Sequence, residues 1–521
     1  MKLKAYHLIF VVAFLGGAAL SAQDYDIVIT NGRVIDPETK YDSVTNVGVN
    51  DGQIAVITKD KISGKKTIDA AGQVVSPGFI DLHAHGQNIG DYRMQAMQGV
   101  TTMLELESGV LPINDWYEMQ SKKRLPIHYG AAAGWTFARI ATFSGGKPKA
   151  TPDYFQDAQR LNDWKFQIAS TKQLQEILSL VQSGLDQGAL GIGVNAGYAP
   201  GYGHKEYFAL AKLASVRNVP TFTHVRYASN LELNSSFQAV QELISLAAIT
   251  GAHMHLCHIN STSLKDIRAV VRLVNDARKR NINVTIGAYP YGAASTVVGA
   301  AMFSGKGWRE RMGSTAHNFQ LGPDRMTEDQ LADYQKNRPG TFINWHFLDE
   351  DNPRDLALLD ESILHPDVLI ESDEMFWMMI DGDKIENYAG QEWPLPKKAF
   401  SHPRSAGTFA KILRSYVRER KLMTLPEAIR KMTLMPAQTL EASVPQMKRK
   451  GRLQVGMDAD IVVFDPEKIA DKATYTEPNQ PAFGVQTVLV NGHPVVNNGI
   501  LLTDAAPGQP IRRRVNRKPS N

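Results

Sequence analysis

Eight short apolar runs separated by amphipathic segments, set between two turn-rich flanks of matching texture, predict an α/β protein. The expected architecture is a TIM (β/α)8 barrel with a small composite β-sandwich built from both chain ends. A length of 521 residues suits this, being too long for one ordinary domain but right for a barrel and a smaller partner.

Residues 1–23 stand apart. Lys2 and Lys4 precede LIFVVAFLGGAAL, and SAQ follows, the order of an export signal. The apolar run is shorter than the ~20 residues of a membrane span. Cleavage, export to a periplasm and no stable membrane insertion of the mature chain are therefore expected. Residues 24–76 then alternate apolar stretches with the turn dipeptides NG, DP and DG. The same texture returns in KGRLQVGMDADIVVFDPEKI and VQTVLVNGHPVVNNGILL. Residues 24–76 and 440–510 are expected to pair as the β-sandwich, leaving 77–439 for the barrel.

The barrel strands are expected at FIDLHAH, TTMLELE, PIHYGAAAG, ALGIGVNAG, PTFTHVR, HMHLCHI, NVTIGAY and DVLIESD. Stretches such as TKQLQEILSLVQSGLDQG and SLKDIRAVVRLVNDARKRN lie between them, with apolar residues near a 3.6 period and Gly or Asn at their ends. Residues 300–365 break the βα spacing and read as an insertion before the last strand, of the kind that closes over a substrate.

Hydrophobic residues make up 43% of the chain and charged ones 21%, with a net charge of +4. The only dense basic run is RRRVNRK near the C-terminus, so a nucleic-acid partner is not expected. A small-molecule substrate is, and an oligomer is compatible. The single cysteine, Cys257, rules out an internal disulfide and reads as a buried packing residue.

Chemistry in a barrel of this kind sits at the C-terminal ends of the strands. His83 and His85 end the first strand, two residues apart and hence on one face. Glu105 and Glu107 share a face of the second. His224 ends the fifth, His258 the sixth and Asp373 the eighth, while His253 and His255 are assigned packing or barrel-exterior roles. Four histidines with carboxylates at five strand ends suit one or two divalent ions such as zinc. Buried carboxylates are costly without such a partner. Glu107 is nearer the mouth and is the first choice for a bridging carboxylate, Glu105 the second.

The segments VVSPGFIDLHAHG, GVTT, THVR, LCHIN, YPY, ESD and HPRSAGTF run in the order seen in the amidohydrolase superfamily. The chain most resembles its D-aminoacylase branch, the N-acyl-D-amino-acid deacylases. The resemblance implies His83, His85, His224 and His258 as metal ligands and Asp373 as the eighth-strand aspartate. Ser108 stands where many members of the branch have a cysteine. Asn260 stands where they tend to have a lysine for the substrate carboxylate, and Trp135 where a histidine often follows the third strand.

The activity expected is hydrolysis of a C–N amide bond in N-acyl amino acids, D-configured in keeping with the resemblance, or in related small peptides. Water activated by the metal would attack, and Asp373 would accept and return the proton. The alternative is a hydantoinase- or dihydroorotase-like cyclic amidase or deaminase. Arg226 or Arg404 is expected to pair with a substrate carboxylate. Tyr289 or Tyr291 is placed to meet the oxyanion, and Tyr198 to line the pocket.

Overall fold

The computed structural model describes residues 24–382 and 384–515, so the expected export signal at 1–23 lies outside them. All eight expected strands form. They are β1 (Phe79–Asp81), β2 (Val100–Val110), β3 (His128–Gly134) and β4 (Ile192–Asn195). There follow β5 (Thr221–His224), β6 (Met254–Leu256), β7 (Val284–Ala288) and β8 (Val368–Ile370). They pair in chain order, all parallel, as one sheet.

Parallel neighbours need crossover connections, and amphipathic helices supply them. The helix Thr171–Asp186 is capped by Ser170, whose Oγ accepts from the Gln173 amide at 3.3 Å; it buries Ile177, Val181 and Leu185. The helix Ile267–Lys279 buries Ile267, Val270, Val271, Val274 and Ala277, one apolar stripe. Inside the barrel, Ile80, Leu82, Leu104, Leu106, Ala132, Phe222, Cys257 and Leu369 pack as one cluster.

β1 and β8 do not pair as strands. The sheet closes just beyond their ends, where the His85 amide donates to the Glu374 carbonyl (2.8 Å) and the Glu374 amide to that of His83 (3.3 Å). The seam of the barrel thus runs through the segment that carries the paired histidines.

Both flanks enter one nine-stranded sheet. Its strand Asp24–Asp36 pairs with Ser63–Asp69 along its first half and with Val74–Pro77 along its second, so the sheet forks. Val74–Pro77 also pairs with Ile461–Phe464, which joins the two ends of the chain. Ile29, Val47, Val463 and Leu489 give this sheet a core of its own. Leu440, Val444 and Met447 instead plug the floor of the barrel, and Ile511 joins them there. The irregular stretch before β8 contains a four-stranded sheet led by Ala293–Val297 and Phe342–His346. No helix among the described residues is long and apolar enough to cross a membrane.

A buried charge cluster fastens the sheet to the barrel. Asp460 accepts from Lys450 Nζ (2.6 Å) and from the Asn491 amide (2.8 Å), and its Oδ1 lies 3.2 Å from His128 Nε2 on β3. All three side chains are buried. Burial works against the carboxylate, but Lys450 and His128 hold its pKa below the usual range. A depressed native pKa contributes stability that is complete above the unfolded value of about 3.9 and is lost as pH falls through the native value. Lys450→Met takes the shared ammonium from the buried carboxylates of Asp460 and Asp458 and leaves Asp460 only His128 and the Asn491 amide, so it should lower the unfolding free energy at pH 7 by about 3 kcal/mol. Denaturant melts measure this; a loss below ~1 kcal/mol would show that the cluster does not fasten the two parts.

Candidate active site

The residues expected at the strand ends meet over the mouth of the barrel. Glu107 is at their centre and only 3% exposed. Its Oε1 lies 3.1 Å from both His224 Nδ1 and His258 Nε2. Its Oε2 lies 3.6 Å from the Nε2 atoms of both His83 and His85. Those two ring nitrogens are 3.2 Å apart, and Asp373 Oδ1 is 3.4 Å from each.

Glu105 takes a different place. Its carboxylate lies 3.0 Å from His85 Nδ1, outside the cluster, and so turns His85 Nε2 inward. Glu371 has the matching place behind His83, 3.4 Å from its Nδ1. Glu371 also accepts from the His258 amide at 2.6 Å, and its Oε2 lies 3.2 Å from His255 Nε2. The sequence reading missed Glu371, although it lies two residues before Asp373 in the quoted ESD. It also missed Asn195 at the end of β4. In the amide orientation that satisfies both ends, Asn195 Nδ2 donates to Glu107 Oε2 at 2.8 Å and its Oδ1 accepts from Ser108 Oγ at 2.7 Å.

Side-chain alternation alone would misplace His258. Met254 and Leu256 pack against the helical layer, while Cys257 belongs to the barrel interior. Continued alternation would send His258 outward with Leu256. Its left-handed backbone, φ 33° and ψ 60°, swings the ring in instead. Asp373 is left-handed too, at φ 50°. His255 is wholly buried inside the barrel, its Nδ1 2.9 Å from Thr285 Oγ1; it reaches the cluster only through Glu371.

The charges explain what such a cluster would hold. Burial would raise the pKa of Glu107, but His83, His224 and His258 pull it well below the usual carboxylate range. Burial would also keep His85 neutral, yet Glu105 and Asp373 outweigh it and raise its pKa to about 10. His83 is raised well above its ordinary value against the same opposition from burial, by Asp373, Glu371 and Glu107. The carboxylates favour positive charge on His83 and His85, whereas burial lowers the pKa of His224. His224 Nε2 and His258 Nδ1 are buried without a hydrogen-bond partner. His83, Glu107 and His258 bring ligand atoms within 4.8 Å of one another, as do His83, His85 and Asp373. Nitrogen and carboxylate donors in these two groups, sharing His83, fit one or two divalent cations.

A cavity opens directly on the cluster, and His85, Glu105, Glu107, His224, His258 and Asp373 all line it. Tyr198 lines it as expected, its hydroxyl 2.8 Å from Thr296 Oγ1. The other expected substrate groups do not line it. Arg226 Nη2 donates to Glu242 Oε1 at 2.8 Å, with its guanidinium 3.5 Å above the Tyr202 ring, so its charge is already matched. Arg404 is fully buried, with Nη1 2.9 Å from Asp373 Oδ2 and its guanidinium 4.6 Å from the Tyr289 ring. Tyr289 therefore sits behind the cluster. Tyr291 turns away, edge-on to His402 and beneath Lys411. Asn260 is also buried off the cavity, its amide donating to the Tyr289 carbonyl at 3.0 Å. Trp135 donates to Glu206 at 2.7 Å in the wall behind β3.

Residues 66–134 and 221–496, more than half of the chain, match the model of the Amidohydrolase family. The chain belongs to the amidohydrolase family. It is a metal-dependent amidohydrolase, and it is similar along nearly its whole length to named deacylases. N-acyl-D-glutamate deacylase of Alcaligenes xylosoxydans xylosoxydans is 26% identical over 499 residues, covering 90% of this chain and 93% of its own. D-aminoacylase of the same organism is 26% identical over 505 residues, covering 91% and 95%. The N-acyl-D-glutamate deacylase of Bordetella bronchiseptica, solved with zinc and a phosphonate inhibitor, shares the fold. Its TM-score is 0.73 at 24% identity, covering 94% of this amidohydrolase and 100% of that chain.

The different places of the two glutamates give a direct test. Glu105→Gln removes only the group that orients His85, so affinity for a zinc probe should fall about 10- to 100-fold. Glu107→Gln should cost more than that. Chelator competition measures both, and equal losses would contradict the central place of Glu107.

Proposed function

We propose that this amidohydrolase cleaves the amide bond of small N-acylated amino acids or related small peptides. In this reading His83, His85, Glu107, His224, His258 and Asp373 hold one or two divalent ions, zinc in kind. The observation that carries it is Glu107 buried among four imidazoles, with Asp373 beside them on the floor of a cavity. The named substrates of the similar proteins favour the D series, and the basic and apolar order of residues 1–23 favours action after export.

Bound ions would supply Lewis acidity, making water a better nucleophile and the carbonyl a better electrophile. The chain supplies the rest. Glu105 fixes which ring nitrogen of His85 faces the cluster, and Glu371 lies 3.4 Å behind His83 Nδ1 as its charge partner. Burial works against the charge of Asp373, but Arg404 and His83 hold its pKa below the usual carboxylate range. Asp373 is therefore anionic at neutral pH and ready to accept a proton. It takes that proton from the attacking water and returns it to the leaving nitrogen. The oxygen joins the carbonyl carbon, the C–N bond breaks, and a carboxylate and an amine depart. Phe155, Phe342 and Trp345 on the cavity wall limit the water that can reach the reacting amide.

Asp373→Asn should lower kcat by about 10²- to 10⁴-fold while retaining most of the bound zinc. The assay is acetate release by zinc-loaded protein from N-acetyl-D- and N-acetyl-L-amino acids, offered both as free acids and as amides. Unchanged turnover in the variant would remove Asp373 from the proton path. No release from any of these compounds by the parent protein would refute the deacylase reading.

A further inference from the structure

The cavity has two unlike halves. Its floor is the cluster of histidines and carboxylates. Its far wall comes from three separate stretches of chain and is nearly all apolar. Phe155 comes from the short helix Pro152–Ala158 that follows β3. Met302, Phe342 and Trp345 come from the irregular stretch before β8, and Met375 and Phe376 follow β8 itself. The rings lock one another. Phe342 meets Phe376 edge to face at 4.8 Å, and Phe155 meets Tyr198 at 5.2 Å. Trp345 is fixed by a 2.9 Å hydrogen bond from its Nε1 to Ser314 Oγ.

Among the described residues, no lysine or arginine lines this cavity. The cations nearest in sequence to the site have their charge used elsewhere. Arg226 is held by Glu242 and Arg139 by Glu206, while Arg404 is wholly buried off the cavity with Nη1 2.9 Å from Asp373 and its guanidinium nitrogens otherwise without hydrogen-bond partners. Lys165 is buried and donates to the carbonyls of Gln159 and Gly299. The polar groups that line the cavity outside the cluster are Gln87, Ser108, Asn195, Ser261, Ser295 and Thr296, uncharged amides and hydroxyls suited to a neutral carbonyl or amide.

A free carboxylate on the substrate would lie against this wall desolvated and without a lysine or arginine to pair with. A buried anion is tolerated only when it is paired. An aromatic or branched apolar group gains from the same wall by burial and ring packing.

We propose that this site takes N-acylated derivatives of aromatic or large apolar amino acids whose carboxyl group is masked as an amide or ester, and discriminates against acidic side chains and free α-carboxylates. The substrate is thus uncharged beyond the scissile bond. This rests on the amide-hydrolysis reading above and deepens it.

The test compares N-acetyl-phenylalanine amide, N-acetyl-phenylalanine and N-acetyl-glutamate, each racemic so that chirality does not decide the outcome. Acetate release by the zinc-loaded parent protein gives kcat/KM. Calorimetry on the zinc-loaded Asp373→Asn protein gives affinity independently of turnover. The masked phenylalanine compound should exceed its free acid at least tenfold in both measurements, and N-acetyl-glutamate should be the poorest of the three. Equal or better use of the free acid or of N-acetyl-glutamate would overturn the proposal while upholding amide hydrolysis. The expected order of affinities without acetate release would uphold the proposal and overturn amide hydrolysis. No binding of any of the three would overturn the proposal.

Discussion

A carboxylate buried among four imidazoles sets the terms for the top of this barrel. Glu107 makes its contacts with side chains from β5, from the turn after β6 and from the segment after β1. Apart from His83 and His85, these residues are far apart in sequence and meet only through the parallel sheet. Burying that charge is unfavourable unless opposite charge surrounds it. The surrounding groups are imidazoles, which carry positive charge only when protonated or when they share a cation with the carboxylate. The same constraint explains the outer glutamates. Glu105 accepts from behind His85, so that ring presents Nε2 to the centre, and Glu371 sets a second negative charge 3.4 Å behind His83.

Backbone irregularity serves the same end. A regular strand presents alternate residues to opposite faces. Two of the side chains turned to the cluster, His258 and Asp373, lie just past strand ends in left-handed conformations that non-glycine residues adopt rarely. The seam between β1 and β8 is closed by hydrogen bonds at His83, His85 and Glu374, so fixing the first two histidines and closing the barrel are one structural event.

Much of this was legible in the sequence because it is local. Strand ends, helix stripes and turn dipeptides are set by neighbouring residues, and all eight barrel strands fell where the apolar runs placed them. The histidines were legible because each ends such a run. The choice of Glu107 over Glu105 followed from its nearness to the mouth. What could not be read was long-range or irregular. The alternation of β6 put His258 on the wrong side until its left-handed turn was seen. Arg226 looked available because its partner, Glu242, sits on the following helix. Arg404 looked like a substrate ligand because its burial against Asp373 depends on the fold beyond β8. The aromatic wall joins Phe155 to Phe342 and Phe376, residues with no common signature in the chain.

The floor and the wall divide the work. The floor is built for one reaction class by charged groups held rigidly behind one another, and the wall chooses what is presented to it. The central claim is that a cation completes the environment of Glu107. Anomalous diffraction at the zinc absorption edge, from crystals of the zinc-loaded protein, tests it most directly. The account predicts one or two anomalous peaks within the cluster, at least one of them within bonding distance of Glu107. No peak there, or zinc bound only at a distance from Glu107, would mean that protonated imidazoles alone balance this carboxylate and that the cluster is not a metal centre.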